Sequence, residues 1–595
     1  EDVLRFEMQT EFNWLCSLRW LLCSLLLPTL TLAASESTQK VLRQPVGLVL
    51  SHDGQTLYAA NRLTGTISSV DVVKRAVVGE VTLASQLSDL KSIAGTPYLL
   101  ATDEAQHELL LLKTDGPRID VQQRVPVSPY PVTVVVSADG QRCVVASLWS
   151  RRLTFVDLPS GDDGEARVTD SLDMPFAPRT QLLVKDDTQL IVADSFGARL
   201  AIVDMTDHTV VHVREFPGHN IRGMAVSPNG EMLIVAHQML NELAHTVQND
   251  VHWGLLMSND LRWLKLDAVL TPGSDLYEGA HMHPLGEAGS ATGDPAGLTL
   301  TAKGAVVVSL GGVGEIAIGK EDDFSLYRIH MGQRPTAVAA DREARYLYVA
   351  DTFDDNIAVI DIEEREAIAS ISLGEQPELS LVQQGERLFY NAHLSHDSWM
   401  SCHSCHTDGH TNGLLNDNFS DASFGAPKRV LSLLGSAHTE PFAWAGSAAT
   451  LKAQIHKSLT HTMQGDEPPT EEQLSALAAF VETLAPPPSI DEARGTQDRA
   501  AIDRGRELFG NLQCTNCHKP PVYTTPDTYD VGIDDKQGNR EFNPPTLLGV
   551  GQRGPYFHDN RAATLEEVFS KHKHQLDRDL SAAELKDLLA FLRSL

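Results

Sequence analysis

Four short stretches in the first 375 residues share one pattern of polar and apolar positions. They are SHDGQTLYAA from 51, SADGQRCVVA from 137, SPNGEMLIVA from 227 and DREARYLYVA from 341. In each, a turn leads into alternating apolar residues that end on a small one, which predicts a hairpin entering a half-buried strand. A second piece also recurs: ISSVDV from 67, LTFVDL from 153, LAIVDM from 200 and IAVIDI from 357. Asp71 and Asp157 lie 86 residues apart, two periods of 43. A period of ~40–50 residues with about four strands per unit predicts a β-propeller. Inner strands are expected near 46, 89, 131, 180, 222, 297 and 336, giving seven blades. QQGERLFYNAH from 383 imitates one more, so eight is the alternative.

The spacing widens between 237 and 296, where HQMLNELAHTVQNDVHWG and YEGAHMHPLGEAGSATGD interrupt the pattern. His237, His245, His252, His281 and His283 fall there. A metal site, a surface packed against the C-terminal part, and a polar loop with solvated histidines all fit; long insertions of this kind usually lie on one face.

Beyond 378 the apolar period changes from two to that of a helix. TEEQLSALAAFVETL, ending at 484, matches SAAELKDLLAFLRSL, ending at 595, an offset of 111. Each opens with a capping box, Thr470 with Gln473 and Ser581 with Glu584. GERLFYNA from 385 parallels GRELFGNL from 505, and LAPPPSIDEARG separates the halves as a proline-rich linker. The expected organisation is upstream residues with a signal peptide (1–35), an all-β propeller (36–378) with its insertion at 237–296, and two tandem all-α lobes (379–485 and 486–595).

Composition adds less. At 595 residues, 42% hydrophobic and 21% charged, the chain reads as a soluble multidomain protein. A net charge of −31 argues against nucleic-acid binding. It favours encounter with a basic partner such as a small cationic electron carrier, or simply maintains solubility. FNWLCSLRWLLCSLLLPTLTLAA, residues 12–34, is a short apolar run interrupted by Pro28, as in a secretory signal cleaved near Ala33–Ser35. Met8 is the expected start. The mature protein is then periplasmic, without a transmembrane span, and neither Cys16 nor Cys23 suits a lipid anchor.

The remaining cysteines carry the chemistry. Cys143 reads as a buried strand thiol. The other four form two C-x-x-C-H motifs: Cys402, Cys405 and His406 in WMSCHSCHTDGH, and Cys514, Cys517 and His518 in LQCTNCHKPP. That spacing lets both thiols bond one porphyrin edge and places the histidine under the iron. A zinc site would need further ligands, and His410 alone does not supply them. Two covalent c-type haems are expected, so the helical lobes are cytochrome c lobes.

NPPTLLGVGQRGPYFHDNRAATLEEVF in the second lobe, with GAPKRVLSLLG and FAWAGSAATLKAQ in the first, resembles the bacterial diheme cytochrome c peroxidase and MauG superfamily. The propeller units resemble the YVTN repeat family. The first resemblance places Trp444 between the haems and Gln454 at a catalytic position, and suggests a calcium ion between the lobes. It implies a peroxidase-like oxidoreductase that passes electrons from a cytochrome c or cupredoxin to hydrogen peroxide at the first haem. A carrier with both irons six-coordinate, or MauG-like oxidation of a protein partner, are the alternatives. The superfamily's distal ligand to the second haem lies fourteen residues after the PYFH histidine. From His558 that count reaches His572, with His574 the fallback. The chain departs from the pattern at the first haem: residues 411–437 hold no histidine, and Thr462 or Gln464 stands where the catalytic glutamate belongs. Met463 beside them is a candidate iron ligand.

Overall fold

The computed structural model describes residues 40–595 except 160, 162–163, 321–325 and 420–422. The expected signal segment, Met8, Cys16 and Cys23 lie outside the described residues. Seven four-stranded antiparallel sheets, each built from consecutive strands, form the blades of a propeller. Their inner strands are Pro45–Leu50, Leu87–Ser92, Pro131–Val136, Pro178–Val184, His219–Val226, Pro295–Leu300 and Pro335–Ala340. The middle strands, such as Gln189–Asp194 and Arg199–Asp204, are buried almost throughout because neighbouring blades cover both faces. Outer strands such as Ala76–Thr82 alternate between exposed and half-buried positions, the pattern of a strand with one face in solvent. First and last blades pack together without sharing a strand. Instead the Asp355 carboxylate accepts from the backbone N–H groups of Arg43 (2.9 Å) and Gln44 (2.7 Å), which clasps the ring shut.

Among the described residues there is no eighth blade: the stretch from 383 begins inside helix Leu381–Phe389. Blade five corrects the sequence reading in a second way. Much of the supposed insertion is sheet, with His237 inside strand Met232–Leu240, and His281 and His283 in the outer strand His281–Pro284. The consensus was hidden because two strands of this blade run to nine residues. The 241–256 hairpin end, with a short helix Gln248–His252, projects toward the helical part. Among the described residues no group of three or more His, Cys, Asp or Glu side chains is arranged to hold a metal ion. His245 pairs with Asp417 (3.3 Å), and His252 lies 3.1 Å from His396, so these two histidines pack against the first lobe.

In the helical part, Leu381–Phe389 packs on Glu471–Val481, and Arg499–Asn511 packs on Ala582–Arg593. Both expected capping boxes form. Gly385 and Gly505 occupy the two crossings. A Cβ there would lie 1.9 Å from Ala476 O and 2.0 Å from Asp587 O respectively.

Candidate functional site: two C-x-x-C-H turns

Cys402–Cys405 forms a single helical turn, and His406 leaves it in a non-helical conformation. Cys402, Cys405 and His406 line one wall of a cavity of about 250 Å³ whose other walls include Trp444, Gln454, Thr462 and Met463. Met463 is 4% exposed and shares an apolar cluster with both cysteines. Gln454 donates to Ser458 Oγ (3.2 Å), while its buried Oε1 has no hydrogen-bond partner. Thr462 faces the cavity; Gln464 does not, because its amide donates to Thr246 O in the propeller (2.7 Å). No carboxylate side chain is among the described residues lining this cavity.

Two buried guanidinium groups stand there instead. Arg429 and Arg553 are each 6% exposed, and both hydrogen-bond to backbone carbonyls, Arg553 O (3.0 Å) and Thr546 O (3.0 Å). The Nε of each lacks a partner. Burial pushes Arg429 down to about 10; burial and then Arg429 push Arg553 down to about 9. Buried cations without anions are costly, so this cavity suits a ligand that brings its own carboxylates. Haem, with its two propionates, fits both these cations and the thiol pair. The sequence motifs APKRV and GQRGPYF contain both arginines, but nothing in their spacing reveals that they converge.

The second motif forms a tighter turn, Cys514–Asn516, after the left-handed Gln513 (φ 60°). His518 donates through Nδ1 to Tyr523 O (3.1 Å), which leaves Nε2 free to bind a metal, and burial pushes its pKa down to about 4. His572 was expected opposite it. The structure turns His572 away: its Nε2 donates to Arg561 O at 3.0 Å. His574 is buried, its Nδ1 has no partner, and burial followed by the proximity of His518 pushes its pKa down to about 4. Lys573 (φ 47°) and Gln575 (φ 51°) turn the chain left-handed on both sides of it.

Trp444 stands between the two lobes. Its indole donates to Arg429 O (2.8 Å), and its ring lies edge-on to His558 (6.2 Å) and Phe542 (6.5 Å) of the second lobe. Lys428 pairs with Asp535 across the same junction at 3.0 Å, both side chains buried. An ammonium group therefore neutralises an inter-lobe carboxylate in the region where the resemblance suggests calcium.

The propeller reaches the first turn directly. Asp408, two residues past His406, accepts from Arg179 (2.9 Å) and Arg222 (2.8 Å) on the inner strands of blades four and five. Burial works to raise the pKa of Asp408, but Arg222 and Arg179 outweigh it and hold the carboxyl well below the usual range. His219 donates to Ser404 O at 2.8 Å, and Asn259 to Trp399 O at 3.0 Å. His410 bridges all three parts: its ring packs on Trp149 and Phe196 of the propeller, and its nitrogens bond Ser432 Oγ (2.9 Å) and Gln552 O (3.2 Å).

A family model described as di-haem cytochrome c peroxidase matches residues 380–493. The cytochrome c551 peroxidase of Nitrosomonas europaea is 26% identical over 270 residues, 36% of this chain and 79% of that protein. The methylamine utilization protein MauG of Methylophilus methylotrophus is 26% identical over 275 residues, 36% of this chain and 81% of that protein. Hydrazine synthase subunit gamma of Kuenenia stuttgartiensis is 25% identical over 274 residues, 36% of this chain and 77% of that protein. Among solved structures, a chain of Kuenenia stuttgartiensis hydrazine synthase superposes with a TM-score of 0.48 at 18% identity, over 55% of this chain and 98% of that chain. This chain therefore joins a seven-bladed propeller to a C-terminal part similar to diheme peroxidases and MauG.

Proposed function

We propose that this chain, a propeller joined to a part similar to diheme cytochrome c peroxidases, is an exported, periplasmic, peroxidase-like oxidoreductase. The observation that carries this reading is the first cavity, where a thiol pair, a histidine and two buried guanidiniums without counter-ions share one space. Bound at Cys402 and Cys405 and at Cys514 and Cys517, two haems supply electron transfer and, at the first, reduction of an oxidant.

The protein's own groups divide the remaining work. His406 and His518 would each hold one iron. His574, rather than His572, would supply the second imidazole to the C-terminal haem, because it has a buried, unpartnered ring nitrogen close to His518 while His572 Nε2 is bonded to Arg561 O. Trp444, bonded to one lobe and packed on the other, connects the two. The net charge of −31 draws in a cationic carrier. Gln454 would orient an oxidant in the first cavity but cannot exchange a proton, and no carboxylate is among the described residues that line it. Hydrogen peroxide should therefore be reduced slowly.

A second reading is favoured by Met463, which lines the same cavity: with its sulfur on the first iron, the protein is a carrier and not a peroxidase. Haem content and stopped-flow mixing test both readings. The expected result is two covalent haems per chain, with both reoxidised when the reduced protein meets peroxide. A count of one ends the diheme reading; haems that stay reduced mean a carrier. In either case the propeller face that holds Ser404 and Asp408 is covered by the chain's own lobe, so a protein partner docks elsewhere.

A further inference from the structure

Ser401 and Ser404 immediately precede the two haem-binding cysteines of the first turn, and both donate to one carboxylate. Asp294, at the entry to the inner strand Pro295–Leu300 of blade six, accepts from Ser401 Oγ at one oxygen and from Ser404 Oγ (2.6 Å) at the other. Ser404 Oγ itself accepts from the Ser401 backbone N–H (2.9 Å), so its own proton is committed to Asp294. The carboxylate is 5% exposed, and its backbone is left-handed (φ 52°), a conformation that costs a non-glycine residue energy unless its surroundings impose it. His219, Asn259, Arg179 and Arg222 grip the same ten-residue stretch from Trp399 to Asp408.

The second turn has no such grip. Gln513 and Asn516 stand where the first turn has Ser401 and Ser404. Asn516 offers its carbonyl to Tyr529 of its own lobe (3.2 Å). Two turns of the same chemistry therefore differ in one respect that the propeller alone supplies, a buried anion behind the thiols. Burial and hydrogen bonding around a haem are established levers on its potential, and a charge acts more strongly in a low-dielectric interior than in water.

We infer that Asp294 is a positioning residue of the first haem: it fixes the Cys402–Cys405 turn beneath His406 and biases the iron carried there toward the ferric state. The propeller is thus part of the electronic environment of one haem and not of the other. This inference rests on the diheme reading, and its test separates the two.

The test uses the full-length haem-loaded protein and three variants. Asp294→Asn keeps the shape and removes the charge. Ser404→Ala removes one hydrogen bond and keeps the charge. Asp71→Asn, at a half-buried carboxylate paired with Lys74 at the surface of the propeller, controls for net charge. Haems are counted by pyridine haemochrome, midpoints are read by spectroelectrochemistry, and ligand geometry by EPR. Asp294→Asn should keep two haems and shift only the first midpoint upward. Ser404→Ala should shift it less while changing the EPR g-values of the first haem, and Asp71→Asn should change nothing. Two haems with an unmoved first midpoint in Asp294→Asn would overturn the inference, as would equal movement of both midpoints. Should Asp294→Asn fail to accumulate as folded protein, an unchanged midpoint and EPR spectrum in Ser404→Ala would overturn it equally. A wild-type count below two overturns the diheme reading and this inference with it.

Discussion

Thr462 and Gln464 are two residues apart and face opposite ways, one into the first cavity and one onto Thr246 of the propeller. The two positions should therefore respond differently to a carboxylate. Thr462→Glu places an acid/base group beside the iron site and should raise peroxide turnover, since such a group is typically worth ~10²–10⁴-fold. Gln464→Glu exchanges an amide donor for an acceptor against a carbonyl and should bring no gain; steady-state assays of both variants check the pair. At the second haem, His574→Ala should change the low-spin signal in EPR, whereas His572→Ala should leave it in place. Both C-x-x-C-H motifs were legible in the sequence, but which neighbouring side chains turn toward them was not. Counting fourteen residues from His558 finds a position but not the direction of a side chain, and the left-handed turns at Lys573 and Gln575 set the direction of the His574 ring between them. Arg429 and Arg553, 124 residues apart, could be found only by folding the chain.

At the scale of elements, each lobe is held by one helix pair that crosses at a glycine. The parallel between GERLFYNA and GRELFGNL was visible in the sequence; the reason that both keep the glycine is that the partner helix's carbonyl sits where a side chain would begin. Gly385→Ala must push the helices apart. Overpacking of this kind typically costs ~1–3 kcal/mol, more than the ~1 kcal/mol that alanine gains in helix propensity. Gly510 is the contrast: it lies in helix Arg499–Asn511 with nothing within 4 Å of a Cβ, so Gly510→Ala should stabilise by ~0.5–1 kcal/mol. Thermal melts of the two variants should move in opposite directions. Blade count was legible for the same reason, because an aspartate closes the third strand in five of the seven blades and recurs with the period. The outer half of blade five escaped, since its longer strands and a helix, Leu266–Leu270, stretch that period.

At the scale of the whole molecule, the propeller and the first lobe share a charged junction built on one carboxylate. Asp408→Asn would strand Arg179 and Arg222 without their counter-charge. Breaking a fully buried pair costs ~3–5 kcal/mol. Asp408 keeps 26% of its side chain open to the propeller channel, so the lower end is expected. Differential scanning calorimetry should show the loss, and limited proteolysis should show the lobe loosened from the propeller.

The burial of the first turn also has a consequence in time. In the finished fold, burial and the nearby Asp294 push the Cys402 and Cys405 thiols up to about 12, and the propeller covers Ser404 between them. A neutral, enclosed thiol is a poor nucleophile. Both cysteines stay half-buried against the cavity. The bonds to haem are therefore expected to form faster, and not exclusively, while this stretch is still open, although the propeller, earlier in the chain, is already available to close on it. Assembly has a favoured order: loading comes first and docking second, and a chain that docks before it is loaded has slowed the uptake of its own cofactor.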